Sequence, residues 1–176
     1  MKNTALITGS TGGLGSCFVK IHAQTGGDLI LVGQNETKLL AQKKEVEEKY
    51  KIKVEIIVAD LTDSAQVDNI YVICKQNGWE VEYLINNAGF GGQGDFAREC
   101  SMEQDISMIQ VNIIATTRLC KLFLPDFIKC GHGKVLNISS TAATMPGPLQ
   151  AVYYATKSYV TSLSNALWRE VKGTGV

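Results

Sequence analysis

Five short apolar or β-branched runs punctuate this chain, and each is followed by a longer stretch whose apolar residues recur at helical spacing. That alternation reads as a parallel sheet wrapped by helices, because parallel neighbours need a long crossover rather than a tight turn. Strands are expected at Thr4 to Thr8, Leu29 to Val32, Val54 to Val58, Tyr83 to Asn86 and Val135 to Ile138. Helices are expected near Gly13 to Thr25, Asn35 to Tyr50, Ser64 to Gln76, Ser101 to Leu124 and Val152 to Lys172, with stops at Gly26-Gly27, Gly78, and Gly131 with Gly133. No repeat, charge block or low-complexity linker divides the sequence, so residues 1 to 176 are expected to form one domain. After the last helix, Gly173-Thr174-Gly175-Val176 has the same stop-then-apolar opening as the earlier strands, and a further strand is expected to follow.

The 17 Lys and Arg are matched by 17 Asp and Glu, which leaves no summed field of the kind that draws a protein onto nucleic acid or anionic lipid. Neither is an expected partner. The five cysteines form no CxxC pair and fall in helical or helix-flanking stretches, so reduced, mostly apolar side chains and a cytosolic setting are expected. No bound metal is expected. Met1-Lys2-Asn3 runs directly into a strand pattern, leaving no room for a signal peptide, and no apolar run approaches membrane-spanning length.

The first strand leads through Thr8-Gly9-Ser10-Thr11-Gly12-Gly13-Leu14-Gly15 into the first helix. A backbone that turns this tightly and lets a diphosphate come close cannot carry Cβ atoms at the contacts, and the N–H groups opening the helix favour phosphate charge. Glycine spacing alone is weak: Gly89-Phe90-Gly91-Gly92-Gln93-Gly94 fits the same GxGxxG pattern and reads as a flexible loop after a strand. The first βα turn is where such a loop holds a dinucleotide in Rossmann-like folds; a glycine-rich turn without a ligand is the plainer alternative. No Lys followed by Ser or Thr closes the loop, which argues against P-loop chemistry. The second strand ends Val32-Gly33-Gln34-Asn35, without the carboxylate that would bind an adenosine ribose, and Glu36 is explained as an acid on a helix dipole. NADP is therefore favoured over NAD, although no arginine is present to grip a 2′-phosphate.

Four motifs in order give the chain a resemblance to the classical short-chain dehydrogenases/reductases. They are the TGxxxGxG loop at Thr8 to Gly15; NNAG at Asn86-Asn87-Ala88-Gly89; a helical asparagine, Asn112; and a serine ahead of a YxxxK pair, at Ser140, Tyr153 and Lys157. The resemblance implies an α/β, Rossmann-like doubly wound parallel sheet with helices on both faces, apparently truncated before its last two strands. It implies cofactor contacts at Gly9, Ser10, Thr11, Gly13, Leu14, Gly15, Gln34, Asp60, Leu61, Asn87, Ala88, Gly89, Tyr153 and Lys157, with Asp60 on the adenine. The glycine spacing also fits the TGxxGxxG form of the extended branch, while NNAG and the short Ser-to-Tyr interval favour the classical one. YxxxK alone means little, since Tyr71 and Lys75 share the spacing in an ordinary helix; there Tyr71 is expected at the surface and Lys75 in the core.

The implied chemistry is hydride transfer between a nicotinamide cofactor and a carbonyl or alcohol. A tyrosine with an ordinary pKa of about 10 gives up its proton reluctantly, and Lys157, one turn beyond Tyr153, would ease this with its charge. By the resemblance the same ammonium holds the nicotinamide ribose, Ser140 donates a hydrogen bond to the substrate oxygen, and Asn112 holds a water linked to the lysine. Adjacent serines at a strand end point to opposite sides of the sheet, so Ser139 competes with Ser140, and the family spacing selects Ser140. The alternative is a non-catalytic NAD(P)-binding sensor or scaffold. A serine hydrolase is disfavoured, because there is no GxSxG elbow; His22 is expected to be partly exposed and His132 to sit in a loop. The resemblance also suggests a homodimer or homotetramer, and an apolar cleft is hinted at by Met145 to Leu149 and Phe90 to Phe96.

Overall fold

A computed structural model describes residues 1–176. The apolar runs form five parallel strands: β1 (Thr4–Thr8), β2 (Leu29–Gly33), β3 (Val54–Val58), β4 (Val81–Asn86) and β5 (Lys134–Asn137), in the order β3-β2-β1-β4-β5. β1 lies in the middle and is buried along its whole length. Its alternate residues serve two cores, as a period-two strand between two helical layers requires. Ala5 and Ile7, with Leu29 and Leu31 of β2, pack on α1 (Gly13–Gln24) and α2 (Glu36–Tyr50). Leu6, Ile30, Val32 and Leu84 face the opposite way, onto α3 (Ser64–Gln76) and the later helices.

Chain direction through the sheet reverses after β3, and β4 returns to the far side of β1. A crevice opens at such a switch point, beyond the carboxyl ends of β1 and β4. Side chains at the helix starts fix the exits from the strands: Asn35 accepts from Lys38 N at 2.9 Å to cap α2, and Asp63 accepts from Ala65 N at 2.8 Å to cap α3.

The expected helix Ser101 to Leu124 is longer and less regular than its pattern suggested. It begins as α4 (Met102–Ile109), opens into a π-helical segment at Gln110–Ala115, and continues as α5 (Thr116–Cys130) with Pro125 inside it. Proline removes the bond to the Lys121 carbonyl, but both residues are exposed, so water can take the vacant acceptor and the helix runs on to Gly131. A 3₁₀ turn at Thr141–Thr144 precedes α6 (Ala151–Glu170). No helix is long and apolar enough to cross a membrane.

Three burial expectations change. His22 is buried, with its Nε2–H donating to the Asn3 carbonyl at 2.7 Å and its ring edge-on to Tyr83, because the Gly26-Gly27 turn folds the chain back over it. Tyr71 and Lys75 are reversed: the tyrosine ring packs on the core edge-on to Phe123, and the lysine is exposed, while both bind Asp126, at 2.8 and 3.1 Å. Of the five cysteines only Cys74 and Cys120 are buried, and there burial pushes the thiol pKa up to about 12 and about 11 respectively.

Candidate active site

The glycine loop is held by side chains from both central strands. Thr8 Oγ1 accepts from Asn87 N and Ala88 N, each at 3.0 Å, while Asn87 Nδ2 donates to Thr8 O at 2.9 Å and Gly9 O at 3.1 Å. Gly9 has φ +62°, in the left-handed region, and a Cβ there would stand 3.0 Å from Ala88 Cα. A Cβ on Gly15 would overlap the Gly9 carbonyl. The result is a bare backbone cradle at the start of α1, which suits a diphosphate.

That cradle floors a cavity of about 670 Å³, large enough for a dinucleotide to lie in. Of the expected cofactor contacts, Gly9, Thr11, Gly13, Leu14, Gly15, Gln34, Leu61, Asn87, Ala88 and Gly89 line it. Four expected contacts do not: Lys157, whose ammonium lies behind Gly89, Tyr153, whose ring faces Gly91, and Ser10 and Asp60. Ser10 is fully buried beneath the loop, with Gln42 Nε2 donating to its carbonyl at 2.9 Å, so its side chain cannot reach a ligand in the cavity. The Asp60 carboxylate is occupied with shaping its own turn: Oδ1 accepts from Thr62 N, Thr62 Oγ1 and Gln34 Nε2 at 2.8 to 2.9 Å. Those bonds, the Thr62 backbone first, hold its pKa below the ordinary carboxylate value. Gly12, Gly33, Asn35, Lys38, Ala59, Thr62, Phe90 and Val111 also line the cavity and were not among the expected cofactor contacts. The run Asp60-Leu61-Thr62 could have flagged Thr62, and the position of Lys38 in the first turn of α2 could have flagged it too.

Behind Gly89 and Gly91, past the β4 end of the cavity, stand three side chains from two elements. Lys157 on α6 is 5% exposed, and its Nζ donates to the Ile138 carbonyl at 2.9 Å. Burial without a carboxylate partner pushes its pKa down. Its ammonium lies 5.9 Å from the Tyr153 ring centroid. Asn112 sits in the π-helical segment, 1% exposed, with all of its amide committed: Oδ1 accepts from Phe90 N at 3.1 Å, and Nδ2 donates to Phe90 O at 2.9 Å and Thr156 Oγ1 at 3.0 Å. It is therefore a clamp between three elements, and π-helical turns recur at such functional positions. Gly89 lies under both groups, since a Cβ there would be 2.9 Å from Asn112 Oδ1 and 3.2 Å from Lys157 Nζ; Gly91 faces the Tyr153 ring. The second glycine run is thus packed against the site rather than a bland connection.

The two serines divide as opposite-facing neighbours should. Ser139 Oγ donates to the Lys157 carbonyl at 3.0 Å and shares a 2.6 Å bond with Thr161, a strut under α6. Ser140 Oγ accepts from Ala142 N at 3.1 Å and caps the 3₁₀ turn, which leaves its hydroxyl proton available to another acceptor. That turn packs along α6, pinned by Ser158 Oγ donating to the Ala143 carbonyl at 3.0 Å. A diphosphate cradle, a phenol, a desolvated ammonium and an uncommitted hydroxyl thus occupy one end of the sheet.

Known proteins resemble the chain over nearly its whole length. The chain is 31% identical to the very-long-chain 3-oxoacyl-CoA reductase of Homo sapiens over 98% of this chain and 55% of that protein. Among solved structures it resembles the bulky-bulky ketone specific alcohol dehydrogenase from Comamonas testosteroni, with TM-score 0.92, 29% identity, and 98% and 69% of the two chains covered. It also resembles a short-chain dehydrogenase from Sphingobium yanoikuyae in complex with NADPH, with TM-score 0.91, 32% identity, and 97% and 66% covered. The chain spans about half the length of the curated relatives it matches, 51% to 56% of each. The short chain dehydrogenase family pattern matches residues 3–176, and the chain belongs to that family.

Proposed function

We propose that the protein is an oxidoreductase that moves hydride between NADP(H), or less readily NAD(H), and a carbonyl or alcohol substrate. The observation that carries this reading is Lys157: a buried ammonium with no carboxylate partner, one helical turn from Tyr153, directly behind Gly89 of the glycine-floored cavity. Burying a charge without a carboxylate partner costs stability, and a perturbed group of this kind beside a phenol is a mark of acid-base chemistry.

The bound nicotinamide would supply or accept the hydride. Tyr153 gives its phenolic proton to the substrate oxygen, and the nearby ammonium stabilises the phenolate left behind. Ser140, whose oxygen is already an acceptor, donates its proton in a hydrogen bond to the same substrate oxygen as charge builds there. Asn112 holds the Phe90 loop and α6 in register, so that phenol, ammonium and cavity keep their spacing. The lack of any carboxylate in the cavity lining, and the NADPH held by the similar Sphingobium enzyme, favour NADP(H).

An apolar ketone fits best as substrate. Phe96, Met145 and Leu149 are exposed on the two loops flanking the start of α6, which are joined where Gly94 N donates to the Leu149 carbonyl at 2.8 Å. The similar enzymes are a reductase of very-long-chain 3-oxoacyl-CoA and a dehydrogenase of bulky ketones. A homodimer or homotetramer through α5 and α6 accords with exposed Ile128, Tyr159 and Trp168 on those helices. The test is Tyr153→Phe assayed with a panel of apolar ketones: turnover should fall about a hundredfold or more while NADPH affinity holds. A variant that still reduces a good substrate at the wild-type rate sinks the proposal.

A further inference from the structure

Three consecutive carbonyls in the turn after β1, those of Thr8, Gly9 and Ser10, are each taken by a donor from within the protein. Asn87 Nδ2 holds the first two, at 2.9 and 3.1 Å, and Gly12 N donates to the second at 3.1 Å. The third is held from another flank: Gln42 Nε2, on α2, donates to the Ser10 carbonyl at 2.9 Å across 32 residues of sequence. We infer that Gln42 is a positioning residue of the cofactor site, turning the Ser10–Thr11 peptide so that Thr11 N–H is presented to the phosphate oxygens of the dinucleotide; this rests on the dinucleotide reading above.

A trans peptide sends its C=O and its N–H in opposite directions, and this chain has no cis peptide bond. Gln42 does not line the cavity, whereas Thr11 does, so a Ser10 carbonyl drawn toward Gln42 leaves Thr11 N–H aimed the other way, into the cavity. Thr11 N has no backbone acceptor within the protein. Backbone N–H groups turned one way form an anion-binding hollow, and a carbonyl rotated into their place would set a partial negative charge against the phosphates. The anchor is rigid. Ser10 is fully buried and its N donates to the Val32 carbonyl at 3.4 Å, while Leu39 and Val46, buried on the same helix as Gln42, fix α2 against the sheet. Packing alone does not account for an amide at this position. Its Oε1 is buried without a hydrogen-bond partner, and an unmade bond of that kind costs stability that an apolar side chain of equal length would avoid.

Equilibrium titration with NADPH, NADH and ADP, together with amide NMR spectra, tests this on wild type, Gln42→Met and Gln42→Lys. Methionine matches the length of glutamine and removes both the donor and the unpaired oxygen, so the melting temperature should stay within about 4 °C of wild type. All three ligands should weaken alike in Gln42→Met, by about tenfold, the equivalent of one hydrogen bond to a charged group. ADP should move the Thr11 amide proton downfield in wild type and leave it in place in Gln42→Met, a signature that a loss of packing would not give. Gln42→Lys, which keeps a donor of similar reach, should restore the Thr11 response. Affinities within about twofold of wild type in Gln42→Met, or a Thr11 amide that still responds there, overturns the assignment and leaves the dinucleotide reading standing. A Thr11 amide silent to ADP in wild type while those of Gly13 to Gly15 respond, or silenced in Gln42→Lys, overturns it equally and needs no folded methionine variant. A wild type that binds neither dinucleotide overturns both.

Discussion

Asn112 offers the sharpest physical test, because every atom of its amide that can bond does so and almost none of it reaches solvent. Asn112→Ala would strip partners from the N–H and carbonyl of Phe90 and from Thr156 Oγ1 at once. Each orphaned backbone group in a part-buried setting costs about 1–3 kcal/mol, so with some rescue by water at the loop surface the sum is about 2–4 kcal/mol. That is a large share of the roughly 5–15 kcal/mol that holds an ordinary domain together. Thr156→Val removes one acceptor and leaves Nδ2 its bond to Phe90, so it should cost only about 1 kcal/mol, with Thr156→Ser restoring it. Urea unfolding of the two single variants and the double reads both the cost and the coupling, which should be at least about 0.5 kcal/mol for residues in one network. A loss below about 1 kcal/mol in Asn112→Ala, or strict additivity with Thr156→Val, would show that the clamp does not carry the load assigned to it.

The sheet was legible because strands buried on both faces are written as unbroken apolar runs, and β1 and β2 are of that kind. The same property hid which face each residue serves: Leu6 and Ile7 look alike in sequence and belong to different cores. The expected helix ended at Leu124, whereas α5 runs on through Pro125, because a proline's cost depends on whether the carbonyl it orphans can find water, and that depends on which side of α5 it lies. His22 was expected to be partly exposed because its partner, the Asn3 carbonyl, is nineteen residues away and bears no side-chain signature.

Motif residues were legible in the site, but their division of labour was not. Ser10, Asp60 and much of Asn87 shape the cavity wall from behind, whereas Gly12, Thr62 and Phe90 face into it. A pattern of residue types records that a position is restricted without recording the side from which the restriction comes. Thr156 illustrates the limit: it lies between Tyr153 and Lys157 in sequence, yet its role appears only once Asn112, from a distant helix, is seen to donate to it. Contacts made by backbone atoms, such as Phe90 with Asn112 or Ile138 with Lys157, leave no trace in residue identity at all.

Two further outcomes follow from the packing. Gly15→Ala should abolish dinucleotide binding and lower stability by about 1–3 kcal/mol, since the added methyl meets the backbone of Gly9 rather than a side chain that can swing away; thermal unfolding and NADPH titration together check it, and an alanine variant that binds normally would refute the cradle. Lys157→Met should abolish turnover yet unfold within about 1 kcal/mol of wild type at neutral pH, because it removes a buried charge along with a single hydrogen bond. The pH dependence of that difference has a definite sign. Burial lowers the folded-state pKa of Lys157 below the value of an unfolded lysine, so between the two the unfolded chain binds more protons and stability rises with pH. Wild type should therefore gain on Lys157→Met as pH climbs through the alkaline range toward the ordinary lysine pKa of about 10.4, while its turnover falls as the ammonium is lost. Urea midpoints of the two proteins compared across that range would show it. A difference that stays flat or runs the other way would mean that Lys157 is not the desolvated ammonium on which the catalytic reading depends.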